Sequence, residues 1–255
     1  MTAAGTDSQP RGRVIRAFVD APLAPDTRVA LPDTAAAHLL RVLRLREGDE
    51  CVLFNGDGQD YTARITAVGK RDGEAEVTGA RPVENESPLR ITLLQGIARG
   101  EKMDLILQKA TELGANAFIP VGSERSEVKL DARRAEKRLA HWRSVVTSAC
   151  EQSGRARVPA VAPPLSLAAA LKALPDGTLR LLLDPFAAHG IATLAAPTDA
   201  ALTIAIGPEG GWSPRDREML VAAGFTGLRL GPRVLRTETA GLAAIAALQA
   251  RFGDL

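Results

Sequence analysis

From residue 89 to the end of the chain, strand-like and helix-like patterns alternate. This alternation constrains the fold most. Parallel strands need a crossover of a dozen or more residues, and a helix supplies it. LRITLLQGI reads as a strand. EKMDLILQKATEL (101–113) has apolar residues at 103, 106, 107, 110 and 113, the period of a helix with one buried face. Gly114 suits the position just past its end. ANAFIPV and LRLLLDP each supply a further strand, ALTIAIGPEGG is a strand running into a Gly-rich loop, and LRLGPRVLR is a strand and loop broken at Gly231-Pro232. Between them lie a long basic helix from Asp131 to about Gly154, a short one at SLAAALKAL, and one at SPRDREMLVAAG. The last has Ser213 as N-cap and Pro214 at its first position. TETAGLAAIAALQARF closes the chain as a helix. The expectation is an α/β domain with a mostly parallel sheet covered on both faces.

The preceding residues read as β-rich. RVIRAFVDAP is strand-like, and Asp33 can N-cap a short helix through TAAAHLLRVLRL. CVLFNGDGQDYTARITAV looks like two strands around an Asn55-Gly56-Asp57-Gly58 turn, a strong hairpin signal. EAEVTGARPV adds another strand. The expected organisation is a flexible leader (1–12), a small β-barrel (13–84), a linker (85–88, in the polar stretch ENESP) and the α/β domain (89–255). A length of 255 residues suits two modest domains.

Composition excludes several classes. No run approaches the ~18 apolar residues of a membrane-spanning helix, and the first residues lack the apolar core of a secretory signal. Two Cys and three His, far apart, offer no zinc spacing. A cytoplasmic protein without a metal is expected. Net charge is uneven: residues 1–88 hold 11 Lys/Arg and 14 Asp/Glu, whereas 125–157 hold 9 and 4. That basic stretch permits a nucleic-acid partner without requiring one.

Three segments could carry chemistry. Gly207-Pro208-Glu209-Gly210-Gly211 follows an apolar strand, where open α/β sheets receive ligands. Its glycines would let backbone N–H groups approach closely. It lacks the Gly-Lys-Ser/Thr end of a P-loop and is not G-x-G-x-x-G, so nucleotide hydrolysis and dinucleotide binding are disfavoured. Leu230–Ala240 holds a charged Arg-Thr-Glu-Thr cluster in which Thr237 or Thr239 could simply cap the final helix. Cys150–Arg157 ends the basic helix. Cys150 has no nearby partner that would make it a nucleophile.

Taken together, GPEGGWS, LGPRVLRTETA, CEQSGR, KATELGA and HLLRVLR, in this order, resemble the ribosomal RNA small subunit methyltransferase E family. These are 16S rRNA uracil-N3 methyltransferases of the SPOUT superfamily. The resemblance runs from about residue 13 to the C-terminus. It implies a C-terminal SPOUT α/β domain with a trefoil knot, a PUA-like N-terminal barrel and a homodimer acting on 16S rRNA or the small subunit. It implies S-adenosylmethionine held by Leu183, Gly207, Glu209, Gly210, Gly211, Leu230, Gly231, Leu235, Arg236, Thr237 and Thr239. The imide N3 of uracil must lose a proton to become nucleophilic. Arg125 and Arg236 are therefore expected near the base, with Glu209 as proton acceptor or orienter. Arg41, Arg44, Arg133, Arg134, Lys137, Arg138, Arg155 and Arg157 would contact phosphates. A SPOUT enzyme acting on a ribose 2′-oxygen or another base, and a non-catalytic RNA-binding or ribosome-assembly protein, are the alternatives.

Overall fold

The computed structural model of the chain describes residues 14–126 and 131–255. The expected leader (1–12) lies outside the described residues. The chain divides after Val83 into two compact units.

The first unit contains β1 (Arg16–Phe18), β2 (Thr27–Ala30), α1 (Asp33–Ala36), β3 (Glu50–Phe54), β4 (Gln59–Val68) and β5 (Gly73–Pro82). The strands form one sheet in the order β1-β3-β4-β5-β2, antiparallel except where β1 meets β3. Between β3 and β4, Gly56 and Gly58 adopt positive φ, and the Asp57 carboxylate accepts bonds from the Gln59 amide and the Tyr61 hydroxyl. Leu39, Leu53, Ile65 and Val77 share the apolar centre of this unit.

The helix here departs from expectation. Pro32, not Asp33, precedes it, and no side chain caps it. It widens into a π-helix over Ala37–Val42, in which the Leu43 amide reaches five residues back to the His38 carbonyl. Arg44 lies past the end of the helix with φ +61°, so Arg41 and Arg44 are not successive positions of one α-helix.

The second unit contains β6 (Arg90–Gly96), α2 (Glu101–Glu112), β7 (Ala115–Gly122), α3 (Ala132–Ser153), β8 (Ala160–Val161), β9 (Leu165–Ser166), α4 (Leu167–Ala173), β10 (Leu179–Leu183), β11 (Ala201–Ile206), α5 (Pro214–Ala222), β12 (Thr226–Leu228) and α6 (Thr237–Phe252). All paired strands are parallel, in the order β12-β10-β11-β6-β7-β8, with β9 also on β7. Successive side chains of a strand face opposite ways. On β6, Leu93 joins the core with α2, α3 and α6, and Leu94 joins the one with α4 and α5. Both faces are thereby covered.

Local chemistry sets the helix ends. Asp131 caps α3 through its carboxylate, and Gly154 ends it in the left-handed conformation. Ser213 and Asp216 form a reciprocal capping box at α5. The strand ahead of the Gly231-Pro232 break is Thr226–Leu228, so of the stretch LRLGPRVLR only Leu228 belongs to it and the rest is loop up to Arg236, the N-cap of α6. Residues 85–88 are engaged with the second unit. Ser87 is buried and donates to Gln249 Oε1 at 2.6 Å, and Glu86 pairs with Arg155.

Candidate functional site

The carboxyl ends of β10 and β11 and the segment after β12 enclose a cavity of about 510 Å³. Three loops wall it: Leu183–Phe186, Gly207–Trp212 and Leu230–Ala240. Lys102 of α2 and Arg125, from the loop after β7, complete the lining.

The Gly207–Trp212 loop is set by a close approach. A Cβ on Gly96, at the end of β6, would lie 2.5 Å from Pro208 Cδ, so only glycine there lets the loop fold down on the strand. The Gly211 amide closes a turn on the Pro208 carbonyl at 2.8 Å, and Trp212 is buried beneath. Asp216, at the start of α5, also accepts from the Glu124 amide at 3.3 Å, fixing the loop that carries Arg125. Arg125 Nη1 donates to the Gly210 carbonyl at 3.1 Å.

Thr237 links two loops and does not act as a cap. Arg236 holds the N-cap position of α6 and no side chain caps the helix. The Thr237 hydroxyl donates to the Gly207 carbonyl at 2.6 Å and accepts from Gln95 Nε2 at 3.0 Å. A buried glutamine on β6 thus ties Leu230–Ala240 to Gly207–Trp212. Thr239 does not cap the helix either. Its amide donates to the Arg236 carbonyl in the first turn.

Glu209 accepts from the Arg99 amide at 3.1 Å, beside the N-terminus of α2, and lies 3.4 Å from Lys102 Nζ. The same ammonium lies 3.9 Å from Glu238 Oε2. Burial alone would raise the Glu209 pKa. The Arg99 and Glu209 amides and the Lys102 ammonium outweigh it and hold the carboxyl below its ordinary value. Glu209 is therefore ionised at neutral pH and a weak base. One lysine against two glutamates leaves this corner net negative, while Arg125 and Arg236 line the same cavity.

Of the residues singled out in the sequence, Arg125, Leu183, Gly207, Glu209, Gly211, Leu230, Gly231, Leu235, Arg236 and Thr237 line the cavity. Gly210 and Thr239 are not among its lining residues. The expected phosphate contacts divide. Arg41, Arg44, Arg133, Arg134, Lys137 and Arg157 are exposed, and Arg138 is half-buried. Arg155 is a correction: it is 4% exposed and internal. Its guanidinium bonds the Glu86 carboxylate at 2.9 Å and the Thr111 and Ala115 carbonyls at 2.8 Å each. A guanidinium so engaged has no face left for a phosphate.

Sequence reasoning missed Lys102, Gln95, Arg217 and Phe186. Lys102 reads as an ordinary charge in a helix's first turn. Gln95 sits in an apolar strand with no motif around it. Arg217 of α5 pairs with Asp184 of the loop after β10, a contact that sequence spacing does not reveal. Both cysteines are buried, and burial pushes the Cys51 thiol up to about 12, which leaves it unreactive. Among the described residues no group of three His, Cys, Asp or Glu could hold a metal, and no helix is long and apolar enough to cross a membrane.

Fold and site together define a parallel α/β domain with its cavity at the strand ends, preceded by a smaller β-rich unit. Residues 85–249 match the model of an RNA methyltransferase domain, and residues 31–78 that of an RNA methyltransferase PUA domain. The chain belongs to this RNA methyltransferase family, among relatives named ribosomal RNA small subunit methyltransferase E. The Buchnera aphidicola (Schizaphis graminum) protein of that name is 32% identical over 95% of this chain and 98% of its own. The Bacillus subtilis one is 33% identical over 83% and 85%. The crystal structure of the Neisseria gonorrhoeae enzyme, bound to S-adenosyl methionine, superposes with a TM-score of 0.88 at 43% identity. It covers 95% of this chain and all of that one.

Proposed function

We propose that the chain is an S-adenosylmethionine-dependent methyltransferase that methylates N3 of a uridine in 16S ribosomal RNA. The observation that carries this is the cavity built by the Gly207–Trp212 and Leu230–Ala240 loops at the parallel strand ends, in a chain of this family. The residues present fit the cofactor. Gly211 (φ +65°) and Gly231 (φ +126°) have open space where a Cβ would stand, leaving backbone accessible to a ligand. The net negative corner of Glu209, Glu238 and Lys102 suits a sulfonium cation. Leu183, Leu230 and Leu235 supply apolar walls for an adenine.

When bound, S-adenosylmethionine supplies a methyl group on a sulfonium, which passes to nitrogen and leaves a neutral thioether. The protein's share is to hold the uracil in line and to favour its anion. Arg125 and Arg236 face developing charge on O2 or O4, the preorganised electrostatics that lower such barriers. Glu209, held ionised, orients Lys102 and the α2 terminus, and the N3 proton passes to water as the anion forms. Gly210 and Thr239 act from behind the wall, one holding Arg125 and the other the first turn of α6.

In the same reading, the segment from Leu230 through α6 threads a trefoil knot, supported by the return of α6 onto α2 and β11. The five-stranded sheet forms a PUA-like barrel. Two copies form a homodimer, and the enzyme works in the cytoplasm. Arg41, Arg44, Arg133, Arg134, Lys137, Arg138 and Arg157 meet phosphates. The test is methyl transfer from labelled cofactor to unmodified small subunits, followed by nucleoside mass analysis. 3-Methyluridine supports the proposal. A ribose methyl, another base or no transfer refutes it.

A further inference from the structure

Among the described residues, the two most exposed large apolar side chains are Phe186 at 87% and Val234 at 76%. They belong to different loops, yet both line the same cavity. Isolated exposed apolar residues are ordinary. Two converging on one cavity, one of them an aromatic ring, are not.

The ring stands on a fixed turn. The Ala187 amide donates to the Asp184 carbonyl at 3.1 Å, closing a four-residue turn with Pro185 at its second position, where a fixed φ suits it. The Asp184 carboxylate accepts from the Phe186 amide at 3.0 Å and pairs with Arg217 of α5. On the far side Ala187 is buried against Gly227, where a Cβ would come within 3.0 Å of it. The backbone is thus pinned on both sides of a side chain that points to solvent.

The surroundings carry more cations than acids: Lys102, Arg125, Arg217, Arg233 and Arg236 against Asp184, Glu209 and Glu238. Arg125, Arg233 and Arg236 line the same cavity and are exposed. Among the described residues neither Arg233 nor Arg236 pairs with a carboxylate. An aromatic face beside arginines is the combination that receives unstacked nucleobases, the ring taking the π-face and the guanidinium groups the backbone. A second copy of this chain would find a suitable apolar contact in Phe186 and Val234, but the exposed Arg233 and Arg236 on each copy would meet their own like charge and oppose it.

We propose that Phe186 is the platform on which the target nucleobase stacks when it leaves the RNA stack to enter the cavity. This rests on the methyltransferase reading and deepens it by naming a residue that holds the base. The ring makes no bond to the reacting atoms, so it acts by positioning.

The test measures binding, so that it stands apart from activity. The full chain, saturated with S-adenosylmethionine, is titrated with a fluorescent oligouridylate and with an abasic ribose-phosphate oligomer of the same length. The wild type is expected to prefer the oligouridylate by about tenfold, the scale of one base–aromatic stack. Phe186→Ala should remove that preference and leave abasic binding, cofactor affinity and native mass unchanged. Phe186→Tyr and Phe186→Trp should keep it. The proposal is overturned by a wild type with no base preference, by an alanine variant that retains it, or by equal weakening of both oligomers. A change of oligomeric state, or loss of cofactor affinity, assigns the ring to a subunit contact or to the cofactor and equally overturns it. Methyl transfer by the wild type, scored separately, shows whether the underlying reading has failed.

Discussion

The Lys102 ammonium lies 3.4 Å from Glu209 and 3.9 Å from Glu238, so one side chain of α2 spans an acid of the Gly207–Trp212 loop and one in the first turn of α6. Neither carboxylate belongs to the element that carries the lysine. The cavity walls are thereby tied to the body of the domain.

Loss of that tie should loosen the cofactor site. Lys102→Met brings two carboxylates together without their shared cation, and cofactor affinity should fall by about tenfold. Lys102→Arg should restore most of it. Calorimetric titration of the three proteins checks this, and equal affinities would remove Lys102 from the site.

Glu209 adds a pH dependence of definite sign. Its folded pKa lies below its ordinary value of 4.5, so its stabilising effect is present above that pH and is lost as pH falls through the lower folded value. Wild type should therefore be more stable than Glu209→Gln near neutrality, and the gap should narrow below about pH 4.5. Thermal unfolding of both proteins across pH 3 to 7 is the measurement. A gap that widened on acidification would contradict the sign.

Arg155 and Arg157 should behave as opposites although they are two residues apart. Arg155→Ala leaves Glu86 and two carbonyls without their donor, and breaking such a buried pair costs about 3–5 kcal/mol. Arg157→Ala removes an exposed charge and should change stability by less than about 0.5 kcal/mol. Denaturant unfolding separates the two.

The exposed cations of α3 should be read in the salt dependence. Replacing Arg133, Arg134 and Lys137 together with alanine should reduce the slope of log affinity against log salt by about 2 to 3. RNA binding measured over a range of salt concentrations tests this. An unchanged slope would take these residues out of the interface.

Thr237→Val should uncouple the two glycine-containing loops. It leaves the Gly207 carbonyl and Gln95 Nε2 short of a partner, at a cost of about 1–3 kcal/mol. Thr237→Ser keeps the hydroxyl and should be close to wild type in both melting temperature and cofactor affinity.

Much of the fold could be read from residue patterns. The 3.6-residue period at Met103, Ile106, Leu107 and Ala110 corresponds to a buried face of α2. Asp131, Gly154, Ser213 and Pro214 mark helix ends that the structure has in place. Each is local chemistry, decided within a few residues. What escaped depends on distant partners. Thr237 resembles a cap until Gly207, thirty residues away, is seen to take its hydroxyl. Arg155 resembles a solvated charge at a basic helix end until Glu86 folds over it. The π-turn at Ala37–Val42 has no sequence signature that separates it from an α-helix. The cavity residues within motifs stood out as sequence, whereas Lys102 and Phe186 emerge only where three loops and a helix meet.

The central claim is that this cavity holds S-adenosylmethionine. The most direct measurement is calorimetric titration of the purified chain with that cofactor, with ATP as control and Gly231→Arg as the blocked site. Saturable binding of the cofactor, none of ATP, and loss of binding in a variant with an unchanged circular dichroism spectrum are predicted. A folded wild type that binds neither ligand, or a variant that binds as well as wild type, would contradict the account.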